Sequence, residues 1–119
     1  MTIVYGISNC DTVKNARAWL TDHSVAHTFH DFKKSGVPAD SLTSWIKAVG
    51  LDKLLNRQGT TWRKLDPHVQ AGVANQASAC ALILANPSVI KRPVVEWPNG
   101  SGQITVGFDA VSWLKMIQK

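Results

Sequence analysis

Apolar residues recur along this chain with two different periods, and the change of period divides it into elements. Thr2-Ile3-Val4-Tyr5 is rich in β-branched and aromatic side chains and stops at Gly6, which predicts a first strand. From Asp11 to Asp22 the period becomes helical, with Val13, Ala16 and Leu20 on one face. Asn9 suits the N-cap of that helix, and Asp11 suits its electropositive first turn. Val25 to Phe32 reads as a second strand. Strand, helix and strand in so short a span predict a βαβ unit with a right-handed crossover.

The middle of the chain reads as helical. Pro38 suits a first helical turn, Leu42, Trp45, Ile46 and Val49 fall at i, i+3, i+4 and i+7, and Gly50 follows as a C-cap. Leu51 to Leu55, Thr60 to Leu65 and Pro67 to Val73 read as short helical pieces. Ala77, Cys80, Ala81 and Leu84 form a further i, i+3, i+4, i+7 face that ends near Asn86-Pro87. After Arg92-Pro93 the period returns to that of a strand. Val94-Val95-Glu96-Trp97 and Gln103-Ile104-Thr105-Val106 are joined by Pro98-Asn99-Gly100-Ser101-Gly102, a hairpin loop. A last helix starts with Asp109 as N-cap, Phe108 and Trp113 in staple positions, and Ala110, Trp113, Leu114 and Ile117 as its buried face. The order is β-α-β, a helical insert at about 37–87, then β-β-α. That is an α/β chain forming a single domain over 1–119, with a four-stranded mixed sheet.

Composition narrows the class. The 119 residues are 45% hydrophobic and 18% charged, which suits a folded domain and excludes a disordered chain. The longest apolar run, Ala77 to Ala85, is too short to span a bilayer. The segment from Met1 to Tyr5 lacks the basic region of a signal peptide, so a cytoplasmic protein is expected, away from membranes. The net charge of +5 allows anionic partners: an oxyanion, glutathione or nucleic acid. The basic residues are scattered (Lys33-Lys34, Arg57, Arg63-Lys64, Lys91-Arg92) with no aromatic-interleaved stripe, which argues against nucleic acid. No apolar surface stripe is left over, so a monomer is expected. Four histidines and two cysteines show no ligand spacing, and no metal is expected. The five tryptophans are spread over different elements, which favours packing over a stacking platform.

Cys10 carries the chemistry. It lies between the first strand and the first helix, where free N–H groups and the positive end of the helix favour an anion. Such a setting lowers a thiol pKa and makes the sulfur a nucleophile at neutral pH. The same N–H groups could cradle an oxyanion beside it. Lys14, one turn on, could add positive charge, whereas Asp11 opposes ionisation. Asn9 and Thr12 flank the sulfur and are candidate substrate-binding positions. Cys80 falls on an apolar helix face, where cysteine behaves as a small hydrophobe. Cys10 therefore has no resolving partner close in sequence, and the resolving thiol is expected from outside.

The run Tyr5-Gly6-Ile7-Ser8-Asn9-Cys10-Asp11-Thr12-Val13-Lys14-Asn15-Ala16 resembles the start of the arsenate reductase-like (ArsC/Spx/YffB) family, its YffB branch most of all. Asp31-Phe32-Lys33-Lys34, Leu54 to Leu65 and Ile90-Lys91-Arg92-Pro93-Val94-Val95 extend the resemblance over nearly the whole chain. It implies a thioredoxin-like fold with a helical insert. It also implies thiol chemistry linked to glutathione or glutaredoxin. In the family's arsenate reductases the cysteine attacks an oxyanion held by arginines, and glutathione resolves the adduct. By position Cys10 matches the nucleophile, Arg92 one oxyanion-binding arginine and Arg57 another. Pro93 matches the cis-proline placed beside the active cysteine. Guanidinium suits the role because it is always charged and grips an oxyanion or carboxylate with paired hydrogen bonds.

Three positions depart from the family. Val106-Gly107-Phe108 stands where the arsenate reductases have a third arginine, and Gly6 where they have a histidine, which points away from arsenate as the substrate. Val13 stands where Spx, a redox-sensing transcription regulator, has the second cysteine of its Cys-x-x-Cys switch. The expectation is therefore an oxidoreductase: a single-cysteine, glutathione-dependent thiol or oxyanion reductase. It would bind no tight cofactor, and glutathione would serve as co-substrate, with glutaredoxin a possible partner. The alternatives are a regulator that binds RNA polymerase as Spx does, without the disulfide switch, and a sensor that is glutathionylated at Cys10.

Overall fold

The computed structural model describes residues 2–73, 75–98 and 103–117. The hairpin turn expected at Asn99 to Gly102 lies outside them. The chain falls into two units, one formed by residues 1–35 with 92–119 and the other by residues 36–91.

The first unit is built on a four-stranded mixed sheet. Its strands are β1 (Thr2–Gly6), β2 (His27–Asp31), β3 (Val94–Glu96) and β4 (Ile104–Val106), in the order β2-β1-β3-β4. β1 is parallel to β2 and antiparallel to β3, and β3 is antiparallel to β4. The sequence predicts this β-α-β then β-β-α order. Helix α1 (Asp11–Asp22) makes the crossover between β1 and β2 and buries Val13, Ala16 and Leu20. Val4 and Val95, paired across β1 and β3, form one core with Ala16, Leu20, Trp97 and Trp113. Fully burying aliphatic side chains of this size contributes about 1.5–3 kcal/mol each. The indole N–H of Trp97 is satisfied by the Thr105 hydroxyl at 3.0 Å.

Two helical faces differ from the sequence reading. In the last helix, α8 (Ala110–Ile117), Trp113 is buried and Met116 and Ile117 pack beside it, while Ala110 and Leu114 are exposed. The expected staple holds: the rings of Phe108 and Trp113 meet edge to face, with centroids 4.8 Å apart. That contact, together with T-shaped contacts of Trp113 to Trp97 and Trp19, turns α8 about the indole. Leu114 is carried outward as a result. Asp109 caps α8 as expected, its carboxylate accepting from the Val111 N–H at 3.1 Å and the Ser112 hydroxyl at 2.9 Å. Ser112 holds that carboxyl below its usual range through its hydroxyl and its N–H.

The second unit is helical. Its helices are α3 (Ala39–Val49), α4 (Leu51–Leu54), α5 (Thr60–Arg63), α6 (Pro67–Ala71) and α7 (Gln76–Ala85), followed by a 3₁₀ turn at Pro87–Val89. A short helix α2 (Phe32–Ser35), which starts at the residue where the sequence pattern ends the second strand, closes the first unit before it. Helix α3 buries Leu42, Trp45 and Ile46 and ends at Gly50, which takes a φ of +88°. In α7 the buried stripe is Ala79, Leu82 and Ile83, not Ala77, Cys80, Ala81 and Leu84. This helix is apolar nearly all round, so two stripes with the same spacing compete. The one with the larger aliphatic side chains turns inward. Cys80 ends up half-buried and Leu84 exposed.

Candidate active site

β1 delivers the chain into the turn that ends at Cys10. Gly6 closes the strand against α1: a Cβ there would lie 2.8 Å from Val13 Cγ2, so the close approach of strand and helix requires glycine. Ile7 is buried, and its carbonyl accepts the Cys10 N–H at 3.3 Å. The Cys10 carbonyl in turn accepts the Lys14 N–H at 2.9 Å, the first intrahelical bond. Cys10 therefore occupies the N-cap of α1, in extended conformation, and Asn9 does not. Asn9 is held one residue earlier, exposed in the turn that the Cys10 to Ile7 bond closes.

At a helix N-cap the cap side chain faces the N–H groups of the second and third helical residues. Here those residues are Thr12 and Val13. The Cys10 thiol is half-buried, and burial on its own would raise its pKa. The Val13 N–H, the Arg92 guanidinium (by hydrogen bond and by charge) and the Thr12 N–H outweigh burial, and the thiol is held below its ordinary value. A thiol held below its ordinary value is more often present as the thiolate, the form able to act as a nucleophile.

Arg92, two residues before β3, acts on the sulfur that follows β1, and β3 pairs with β1 directly, Val94 opposite Tyr5. The Arg92-Pro93 bond is cis, as the family resemblance implied, and Pro93 is buried. The Pro93 carbonyl accepts the Gly107 N–H at 2.9 Å, and Gly107 takes a φ of +78°. The residue just beyond β4 thus pins the segment that carries Arg92. Left-handed backbone is cheap for glycine and costly for a residue with a side chain. On β1, the Tyr5 hydroxyl donates to Glu96 Oε1 at 2.9 Å, tying the strand before Cys10 to the strand after Arg92.

The remaining expected residues are placed as follows. Thr12 contributes its N–H to the sulfur while its side chain is exposed. Lys14 is exposed along α1 and is not among the groups that act on the thiol. Arg57 lies in the helical unit, where it pairs with Asp52 at 2.9 Å and sits over the Trp62 ring at 5.7 Å. Cys80 also lies in that unit, and both cysteines are free thiols. Among the described residues no group of His, Cys, Asp or Glu could hold a metal ion. No helix among them is long and apolar enough to cross a membrane. The sequence names Gly6, Val13 and Val106-Gly107-Phe108 only as departures from the family, and the structure gives Gly6, the Val13 N–H and Gly107 their parts in building the site. A glycine directly after a strand was the available signal at both Gly6 and Gly107.

The model of the ArsC family matches residues 5–116. The chain belongs to the ArsC family. A solved YFFB protein is 43% identical to it, with a TM-score of 0.89 and 98% of each chain covered. A solved arsenate reductase (ArsC) related protein from Brucella melitensis is 46% identical, with a TM-score of 0.72 over 99% of this chain and 95% of the other. The global transcriptional regulator Spx of Streptococcus pyogenes is 27% identical over 97 residues, covering 80% of this chain and 71% of that one. The ArsC assignment and the likeness to YffB agree with the resemblance carried by the Cys10 turn and the Arg92-Pro93 motif. In this ArsC member the fold brings together Cys10, the N–H groups of Thr12 and Val13, and Arg92.

Proposed function

We propose that the protein is a single-cysteine, glutathione-dependent thiol reductase in which Cys10 is the nucleophile. The observation that carries this reading is the convergence of the α1 start and the Arg92 guanidinium on one thiol. In the reaction, the Cys10 thiolate attacks the glutathione sulfur of a mixed disulfide. The Cys10–glutathione disulfide forms, the substrate's S–S bond breaks, and the substrate leaves as a thiolate that takes a proton from water. A second glutathione thiolate then attacks the glutathione sulfur of that adduct. Oxidised glutathione departs and the Cys10 thiolate is restored, so that in sum the mixed disulfide and one free glutathione become the substrate thiol and oxidised glutathione. Val13, fully buried at the position a Cys-x-x-Cys partner would need, supports an external resolving thiol. Glutathione carries carboxylates that suit Arg92, and glutaredoxin is the natural protein partner for such an adduct. Val106-Gly107-Phe108, where the resemblance to arsenate reductases leads one to expect a third arginine, argues for a disulfide over arsenate as substrate.

The test is an assay of a glutathione mixed disulfide and of arsenate, each with wild type and Cys10→Ser, followed by mass analysis of the protein. Turnover of the mixed disulfide that needs Cys10, with a glutathione adduct on that residue, is expected. Turnover of neither substrate would overturn the proposal. The likeness to Spx supports a second reading, a regulator that binds RNA polymerase, and polymerase co-purifying with a catalytically silent protein would favour it.

A further inference from the structure

β2 is a terminal strand of the sheet, since it pairs with β1 on one side and the strand order ends there. Half of the backbone N–H and C=O groups of an edge strand point away from the sheet and can template another strand. A groove runs along this edge. Its lining alternates between the two faces of β2: Thr28 and His30 from one, Phe29 from the other. Ile3 and Tyr5, the partners of Thr28 and His30 on β1, line it on that first face, so the groove takes in one face of β1 and β2 and reaches Phe29 on the other side of the edge strand. Nothing in the β2 sequence blocks pairing, for His27–Asp31 contains no proline and no lysine.

The exposed charges lining the groove are positive. Arg17 and Lys34 line it, and both are exposed. The Arg17 guanidinium carbon lies over the Phe29 ring, 4.3 Å from its centroid, so it is already positioned at the edge strand. The one carboxylate in the groove, Asp31, is buried and accepts the Lys33 N–H at 2.9 Å, which engages it within the fold. We infer that the open edge of β2 binds an extended, acidic segment of a partner protein by strand addition. The backbone of β2 supplies affinity, and Arg17 and Lys34 select acidic side chains. Ser8, in the turn that carries Cys10, lines the same groove, so the bound segment lies beside the active turn.

The experiment uses Cys10→Ser protein and cysteine-free, fluorescein-labelled peptides, so that no disulfide chemistry contributes. One peptide alternates Glu and Val, a second alternates Lys and Val, and a third is the Glu peptide N-methylated at every other amide. Fluorescence anisotropy should show saturable binding of the Glu peptide that weakens as salt is raised, and loss of binding for the other two. The Arg17→Glu/Lys34→Glu double variant should bind the Glu peptide at least about tenfold more weakly, because both selecting charges are reversed. A Lys47→Glu/Lys53→Glu variant, altered in the helical unit, should bind as the parent does. Absence of saturable binding would overturn the inference. So would equal binding of the Lys peptide, undiminished binding of the N-methylated peptide, or equal losses in the two double variants. Sedimentation showing that β2 is covered by a second copy of the chain would also overturn it.

Discussion

Replacing Arg92 by Met removes one positive charge and one hydrogen-bond donor from the Cys10 sulfur while keeping an apolar stem of similar length. Two unit charges about 4 Å apart interact by about 1 kcal/mol in water and about 4 kcal/mol at an effective dielectric of 20. Cys10 is half-buried and solvent reaches it, so the lower end applies and salt screens it further. The loss is therefore about 1 kcal/mol, or roughly a fivefold fall in thiolate at any pH below the thiol pKa. The assay is ultraviolet titration of the thiolate in a Cys80→Ser background, so that one sulfur is read. Arg92→Met should move the curve toward the ordinary thiol range, and the rate of alkylation by iodoacetamide near neutral pH should fall with the thiolate fraction. Arg92→Lys, which keeps the charge and loses the planar fork, should fall between the two. A titration curve that does not move in Arg92→Met would refute the assignment of Arg92 to the sulfur and leave the helix start as the only source of activation.

Further outcomes follow from the same structure. Gly6→Ala drives a methyl group into Val13 and should cost about 1–3 kcal/mol in urea denaturation, with part of the loss recovered in Gly6→Ala/Val13→Ala. Because the folded-state pKa of Cys10 lies below the unfolded value, its ionisation stabilises the fold fully above the ordinary thiol pKa. That stabilisation is lost as pH falls through the folded value, so Cys10→Ser should lose stability relative to wild type in alkali and much less at neutral pH. Asp109 follows the same sign rule in the carboxylate range: Asp109→Ala should lower Tm at neutral pH, and the difference should close on acidification through its folded pKa. Leu82→Lys should unfold the helical unit by circular dichroism and Leu84→Lys should leave it intact, the reverse of what the Ala77-Cys80-Ala81-Leu84 face requires.

Much of the fold was legible because the signals are strong and local. Val13, Ala16 and Leu20 share one helical stripe against polar neighbours, and α1 has the limits that pattern predicts. Gly50 and Asp109 mark helix ends by their own chemistry. Legibility failed where the pattern is degenerate. Helix α7 is apolar on every side, so spacing alone cannot say which stripe turns inward, and side-chain volume in the folded unit decides. In α8 the choice is made by a cluster of aromatic rings drawn from distant parts of the chain. The site shows the same division. Cys10 could be read from its place between a strand and a helix. That it is itself the N-cap depends on the Ile7 carbonyl closing the turn one residue later than Asn9 suggested. The Gly107 to Pro93 tie joins two loops on either side of β3 and β4 and has no local signature.

The position of the sulfur at the start of α1 also bears on how the protein releases whatever it has bound. A thiolate there is favoured by the Val13 and Thr12 N–H groups and by Arg92, whereas a sulfur tied into a disulfide has no charge for them to meet. Low thiol pKa makes a sulfur a good leaving group in exchange, since the departing thiolate is the stabilised species. In the proposed thiol exchange, the arrangement that draws Cys10 into attack would therefore also hasten its expulsion from the adduct and tilt the equilibrium toward the reduced form. On the proposed function, a protein built this way would hand its disulfide on and not hold it.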